Sequence, residues 1–411
     1  MTVRLDEVPA LAPRPARPRG WLWLGILPLL LVLIGVGGTF LFGTPALRQQ
    51  PVSFWALALG VPLLGWCLLI FGRVLLYFGQ QQVADGWDQA REEDLSQKVR
   101  RGRRVQQVLG VSLHTALREQ EASSAAQLNA LLGGVKALNA QPSRLGQEAL
   151  RHSCIAGDRD EDPEIALLRA LVQLLADLAP ALAQLPEDTP LALLLEVDSA
   201  LPDNVLQRVW RQAWSESGIR QSIVSVDGDG LEALDQWLDH RIGDQALLLV
   251  VALQFMPQQP EGTAEVAVGL LFGNRLTQNA LPSMACLHRP EQEREPTTDA
   301  LLYAAHQALN WVPLDAQSIE QTWRVGVDKQ RDAALTTVLA DVSIPAKHDQ
   351  GFYDLDTQLG HSGKASPWLA IAVATQTIQC GAGPQFIFSG GGCVDAGLWS
   401  TVLTPVPSLS K

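Results

Sequence analysis

The chain has 411 residues, enough for one large or two ordinary domains with a sizeable core. Its 31 basic residues stand against 43 acidic ones, and a net charge of −12 argues against general nucleic-acid binding, because phosphate neutralisation needs clustered Lys and Arg. The five cysteines, Cys67, Cys154, Cys286, Cys380 and Cys393, show no CxxC spacing, so a reduced compartment and no zinc site are expected.

Residues 1–20 form a tail with Arg4, Arg14, Arg17 and Arg19 among prolines, predicted to be unstructured. The segment 21–43 carries no charge and is long enough to cross a bilayer. It is too long for a cleaved signal peptide, and no small-residue cleavage signal precedes Pro45. A second apolar stretch, 54–78, follows a short loop around Arg48 and includes Arg73, one helical turn before Tyr77, where its side chain can snorkel to the interface. Two transmembrane helices are therefore predicted. The tail has four arginines and the loop only Arg48, whereas Arg91, Lys98, Arg100, Arg101, Arg103 and Arg104 follow the second span. Flanks rich in Lys and Arg stay cytoplasmic, so the expectation is a multi-pass protein of the bacterial inner membrane with both termini in the cytoplasm.

Residues 80–188 read as a helical connector. Its basic cluster 98–104 either meets anionic lipid head groups or is a solvated helix face. Glu164 to Leu185 is amphipathic at helical spacing, through Ile165, Leu168, Leu171, Leu174, Leu175 and Leu178, suited to packing on the next domain or on a partner. From 190 to 411 strands and helices alternate: strands at 191–197, 219–226, 246–255 and 266–272, helices at 202–214, 231–240 and 298–310, and further strand material at 323–327. That order predicts a layered α/β domain around a central sheet.

Near the C-terminus, Leu359-Gly360-His361-Ser362-Gly363 is turn-rich and opens onto Ser366-Pro367, an N-cap followed by proline at the first helical position. Trp368 to Cys380 is apolar on most faces, as a buried helix reads, with Gly381 and Gly383 to stop it. Phe386-Ile387-Phe388 is a short buried strand, and glycines 390–392 allow a turn where side chains would clash.

The residues Gly360-His361, Gly363 and Ala365, then Phe388-Ser389-Gly390-Gly391-Gly392, resemble the C-terminal end of the thiolase and β-ketoacyl synthase families. The resemblance implies a thiolase-like layered α/β domain behind an N-terminal two-helix transmembrane hairpin. In those enzymes the histidine helps decarboxylate or condense an acyl thioester, and a nucleophilic cysteine sits in a strand-to-helix turn after a Val-Asp pair. The counterpart of that turn is Val226-Asp227-Gly228-Asp229-Gly230, without a cysteine. The family's His-Gly-Thr histidine falls on Val325, and its lysine on Asp356. Of the four groups only His361 is kept, as a vestigial candidate that is either a hydrogen-bonded structural residue or a general base. No acyl-enzyme forms without a nucleophile.

Other candidates carry less. Cys286 and His288 raise a Cys/His dyad, but they lie outside the turn where this fold holds its nucleophile. Glycines 390–392 lack the Lys-Ser/Thr and following helix of a phosphate loop. Asp227 and Asp229 share a turn that either binds a cation or is solvated. No catalytic residue, cofactor or metal is assigned. The expected function is a membrane-anchored, non-catalytic binding module or adaptor with a protein partner, possible as a homodimer; the alternative is a membrane-associated acyl-transfer or ketosynthase-like enzyme acting on a lipid or acyl thioester. The apolar hairpin before a divergent α/β domain, with Trp323 to Arg331, also resembles the adaptors of type VI secretion lipase effectors.

Overall fold

The charge-free run after Arg19 folds as helix α1, which covers Gly20–Leu30, widens into a π-helical stretch Leu31–Gly37 and returns to α geometry over Gly38–Phe42. The computed structural model describes residues 3–45, 50–119, 124–144, 146–157, 161–274, 276–277, 281–312, 314–391 and 397–407. The loop residue Arg48, like Gly392 and Cys393, lies outside them. Helix α2, Pro51–Gly102, carries the second apolar run and continues unbroken into the polar segment that follows it. The chain divides into two units, Arg4–Val99 and one made of Met1–Val3 with Arg100–Lys411.

In the first unit Gly35 of α1 lies against the Ala58 carbonyl of α2, a close approach that a Cβ would block. Trp66 donates its indole N–H to the Trp23 carbonyl at 2.9 Å. The tail expected to be unstructured is ordered along α2. The Ala12 amide donates to Asp88 at 2.9 Å, Arg14 bridges Asp85 and Asp88, and Arg91 donates to the Pro9 carbonyl at 2.6 Å. Prolines cannot build a helix or a ladder here, so the segment satisfies its carbonyls through side chains of α2.

The second unit is built on a sheet of eleven strands. In chain order its elements are β1 (Val105–His114), α3 (Ser124–Leu132), the separate hairpin β2–β3 (Asn139–Ser143, Gly146–His152), α4 (Pro163–Leu182), β4 (Leu191–Ser199), α5 (Asp203–Glu216) and β5 (Ile223–Ser225). Then come α6 (Gly230–His240), β6 (Leu247–Phe255), β7 (Val266–Gly273), β8 (Ala285–His288), β9 (Glu291–Gln292) and α7 (Thr298–Trp311). The last elements are β10 (Gln321–Val325), α8 (Asp332–Val342), β11 (Phe352–Asp354), α9 (Leu355–Leu359), α10 (Ser366–Gln379), β12 (Gln385–Ser389) and β13 (Trp399–Thr404).

The strand order β11-β10-β12-β13-β8-β1-β7-β6-β4-β5 reads as one pattern written twice. Numbered within its own half, each five-strand set runs third, second, fourth, fifth, first. In each set the fifth strand is antiparallel to its neighbours, and β1 meets β8 antiparallel at the junction. In this duplication α6 and α10 are equivalent, each leading from the third strand of its half to the fourth. Both lie in one core cluster, with Leu231, Leu234 and Trp237 from α6 and Trp368 to Ala374 from α10. Helix α10 is apolar all round and almost wholly buried. Helices α4 and α5 cover the other face of the first half, and α7 and α8 that of the second.

Three helical segments are long and apolar enough to cross a membrane, Gly20–Gly37, Pro51–Gly102 and Pro163–Leu182. The last is α4, whose leucines at 167, 171, 174, 175 and 178 are buried against the sheet.

Two further expectations need correction. The helical connector 80–188 is helical only to Gly102 and again in α3 and α4; Val105–His114 is an inner strand at the junction of the two halves, so the second unit starts at Arg100 and not at 190. The basic cluster 98–104 is neither wholly solvated nor wholly free for lipid. Arg104 donates to the Leu238 and Asp239 carbonyls at 2.8 and 3.0 Å, capping the C-terminus of α6, and Arg101 pairs with Asp239 at 2.9 Å. The fully buried Arg289 completes this group, pairing with Asp235 at 2.6 Å and Asp239 at 2.9 Å.

Candidate functional site

Strand β4 is apolar from Leu191 to Leu195 and then places Glu196, which is 5% exposed, ahead of Val197, Asp198 and Ser199. Its Oε2 accepts the Trp368 indole N–H at 2.7 Å, and its Oε1 accepts the Gly230 amide. One carboxylate therefore holds the first turns of the two equivalent helices, α6 and α10. Burial pushes this carboxyl above the ordinary range, and the two donated hydrogen bonds oppose the rise. Sequence reading passed over Glu196 and took Trp368 only as part of a buried helix, although an acid directly after Leu-Ala-Leu-Leu-Leu signals a buried, partnered carboxylate.

The turn Val226–Gly230 leads directly into α6, the place the resemblance assigns to a nucleophile. Gly228 and Gly230 adopt φ of +126° and +54°, conformations that other residues enter only with strain. Asp229 is the N-cap but makes no side-chain cap bond, and its carboxylate faces Lys364 at 3.6 Å. Both of those side chains are at least half exposed, so the pair adds little stability. Asp227 is exposed, and among the described residues no group of His, Cys, Asp and Glu is arranged to hold a metal ion.

His361 is fixed mainly through its backbone. Its amide donates to the Gly262 carbonyl at 2.9 Å, and its carbonyl accepts from Ala264 at 2.9 Å and from Gln254 Nε2 at 2.7 Å. The Gly363 amide donates to Nδ1 at 3.0 Å, which leaves Nε2 to carry the proton of the neutral ring. Gly363 has φ of +53°, and a Cβ there would strike the Gln254 side chain. Ser366 is the first residue of α10 rather than its N-cap; a short 3-10 turn, Gly363–Ala365, precedes it, and the Ser362 and Ser366 hydroxyls lie 3.0 Å apart.

Asp356, at the position of the family's lysine, accepts from the Val327 amide at 3.3 Å and from Gly326. Burial pushes its carboxyl up to about 6, against the pull of those amides and of nearby His361. Val325 is wholly buried and apolar. Beyond it Gly326 and Gly390 cross closely: the Gly390 amide donates to the Val325 carbonyl at 3.0 Å, and a Cβ on Gly326 would come within 2.8 Å of the Gly390 carbonyl. The turn at Gly390 thus serves backbone packing.

The Cys286 and His288 dyad is not formed. Both lie on β8 rather than in a loop, and His288 Nε2 is 2.9 Å from the Thr404 hydroxyl. Burial pushes the Cys286 thiol up and His288 down to about 4, so neither takes the charge a thiolate–imidazolium pair requires.

Comparison with solved structures finds this fold in ketosynthases. It is similar to an oxazolomycin ketosynthase domain from Streptomyces albus JA3453, with 13% identity, coverage of 74% of this chain and 96% of that one, and a TM-score of 0.51. It is also similar to the PfaC keto synthase–chain length factor, with 11% identity, coverage of 75% and 43%, and a TM-score of 0.51. At these identities the likeness is one of fold. No family model and no curated protein matches the sequence.

Proposed function

We propose that the protein is a membrane-anchored thiolase-fold binding module without acyl-transfer chemistry, which holds its α/β unit at the cytoplasmic face of the inner membrane for a protein partner. The observation that carries this reading is the start of α6. The turn 227–230 offers neither thiol nor hydroxyl, and Glu196 already occupies the Gly230 amide. A buried carboxylate at that amide opposes any oxyanion brought to it, the reverse of what acyl transfer needs. The neighbouring positions support the same conclusion. Val325 cannot polarise a carbonyl, and Asp356 adds negative charge where a lysine would stabilise it.

The anchor is a hairpin of α1 and α2. The bonds from Ala12 and Arg14 to Asp85 and Asp88 support it, since they hold the tail beside the part of α2 that follows the second apolar run. With both helices spanning, the tail and that segment share one side, and the arginine count makes it the cytoplasmic one. Among partners, a secreted effector of the type VI class is the first to test, on the architectural resemblance.

The test is purification of the tagged full chain in mild detergent after cross-linking in its native membrane. A stoichiometric protein partner, retained by His361→Ala, is expected. An absent partner together with acyl-thioester turnover that His361→Ala abolishes would instead establish the enzyme.

A further inference from the structure

Strand β4 lies between β5 and β6, an inner position where both faces of a sheet are normally covered, yet Leu195 is 37% exposed. Leu191 and Leu193 on the same face are buried in the core beneath α4 and α5. Towards the C-terminal end of the strand the covering helices leave a cleft of about 370 Å³. Its walls are Leu167 and Leu171 of α4, Leu195 and Val197 of β4, and Leu206 and Trp210 of α5. The volume falls in the range of small-molecule sites, about 300–1,000 Å³, and clefts outside the carboxyl ends of parallel strands are where α/β sheets commonly take ligands.

The rim is polarised. Asp203 stands at one end, in the first turn of α5, and Arg211 lies eight residues further along the helix, or about 12 Å at ~1.5 Å per residue. Arg208, one turn earlier, is matched by Glu164 at 2.5 Å. Among the described residues Arg211 makes no ion pair; its only hydrogen bond goes to Gln207 Oε1 at 3.4 Å. The cleft thus presents an apolar floor with an unmatched guanidinium at one end and a carboxylate at the other.

We infer that this cleft binds an amphiphile with a single apolar tail and an anionic head group. The tail lies over Leu195 and Trp210, the head takes the guanidinium of Arg211 in a charge-assisted, two-pronged hydrogen bond, and Asp203 repels the reverse orientation. Successive side chains of a strand point to opposite faces, so the cleft lies behind Glu196, and the sheet separates it from the site that Glu196 closes. The inference is therefore independent of whether that site is catalytic.

A decanoic acid photoprobe carrying a diazirine in its tail tests this on the full chain in lipid nanodiscs. Cross-links are expected within 163–182, 191–199 and 203–216. Decanoate should compete for them, and decan-1-ol should do so at least about tenfold less well, since a hydrogen bond to a charged group is at stake. Arg211→Glu, a change at an exposed position, is expected to lower labelling by about tenfold or more, and Leu195→Trp, which fills the floor, to remove it, with the melting temperature of Arg211→Glu unchanged. Labelling confined to 20–78, or equal in the parent protein and Arg211→Glu, overturns the inference.

Discussion

Glu196 accepts the indole N–H of Trp368 at 2.7 Å, and through this bond the C-terminal end of β4 is fastened to the first turn of α10, 172 residues further on. The other oxygen of the same carboxylate takes the amide that opens α6. Removing either partner leaves a buried polar group without its match. Trp368→Phe keeps most of the ring volume but removes the donor, and is expected to lower stability by about 1–3 kcal/mol. Denaturant unfolding of the full chain measures this; an unchanged midpoint would show that Glu196 finds another donor.

Glu291 carries a pH dependence. Its burial pushes the carboxyl from 4.5 up to about 7, while Trp311 Nε1 donates to it at 2.6 Å. The folded state therefore holds a proton that the unfolded chain has released. Stability contributed at low pH is lost as pH rises from about 4.5 to 7, by up to about 3 kcal/mol. Glu291→Gln keeps an acceptor for Trp311 and does not ionise. The melting temperature of the variant minus that of the parent should grow between pH 5 and pH 8; parallel curves would contradict the assignment.

Asp239, beside Arg289, has the opposite sign. The side-chain bonds from Arg289 and Arg101 hold Asp239 near 2 against the cost of its burial, so its contribution is present above pH 4 and is lost as pH falls towards 2. Arg289→Met leaves Asp235 and Asp239 facing one another without their shared cation, and breaking a buried pair in this way costs about 3–5 kcal/mol. Restoration of stability by Asp235→Asn in the same chain, seen in thermal melts, would locate the loss in that charge.

Ala370 and Ala374 are fully buried on α10, which packs on one face of the sheet across strands of both halves. Ala370→Arg and Ala374→Arg each place an unpaired charge there, at a cost of several kcal/mol, and should prevent folding of the second unit. Native-like protease resistance in both variants would mean that α10 is not the centre of the fold.

Helix α10 is legible because nearly every position from Ser366 to Ile378 is apolar or small, and Ser366-Pro367 marks its start. β6 is legible for the same reason, as a run of nine buried residues. β1 is not. Gln106, Gln107, Ser112 and His114 break its apolar pattern, and β8, which flanks it, lies some 170 residues away. The twofold repeat of strand order is not anticipated in the sequence reading, since topology constrains burial and direction more than residue identity. The ordering of the tail depends on Asp85 and Asp88, whose partners, the Ala12 amide and Arg14, do not stand out in the sequence. The turn 226–230 and Gly360-His361 stand out in the sequence, but Glu196, which takes the Gly230 amide, comes from β4, a strand the motif does not include.

The proposal that the protein lacks acyl-transfer chemistry is tested most directly by intact-mass analysis of the full chain after incubation with a long-chain acyl thioester, and separately with cerulenin. With Gly228, Asp229 and Gly230 at the start of α6 and the Cys286 thiol kept protonated by burial, the mass should remain that of the unmodified chain in both reactions, for the parent protein and for His361→Ala alike. A stoichiometric acyl adduct on one cysteine, present in the parent protein and lost in His361→Ala, would contradict the binding-module reading and make the protein an acyl-transfer enzyme.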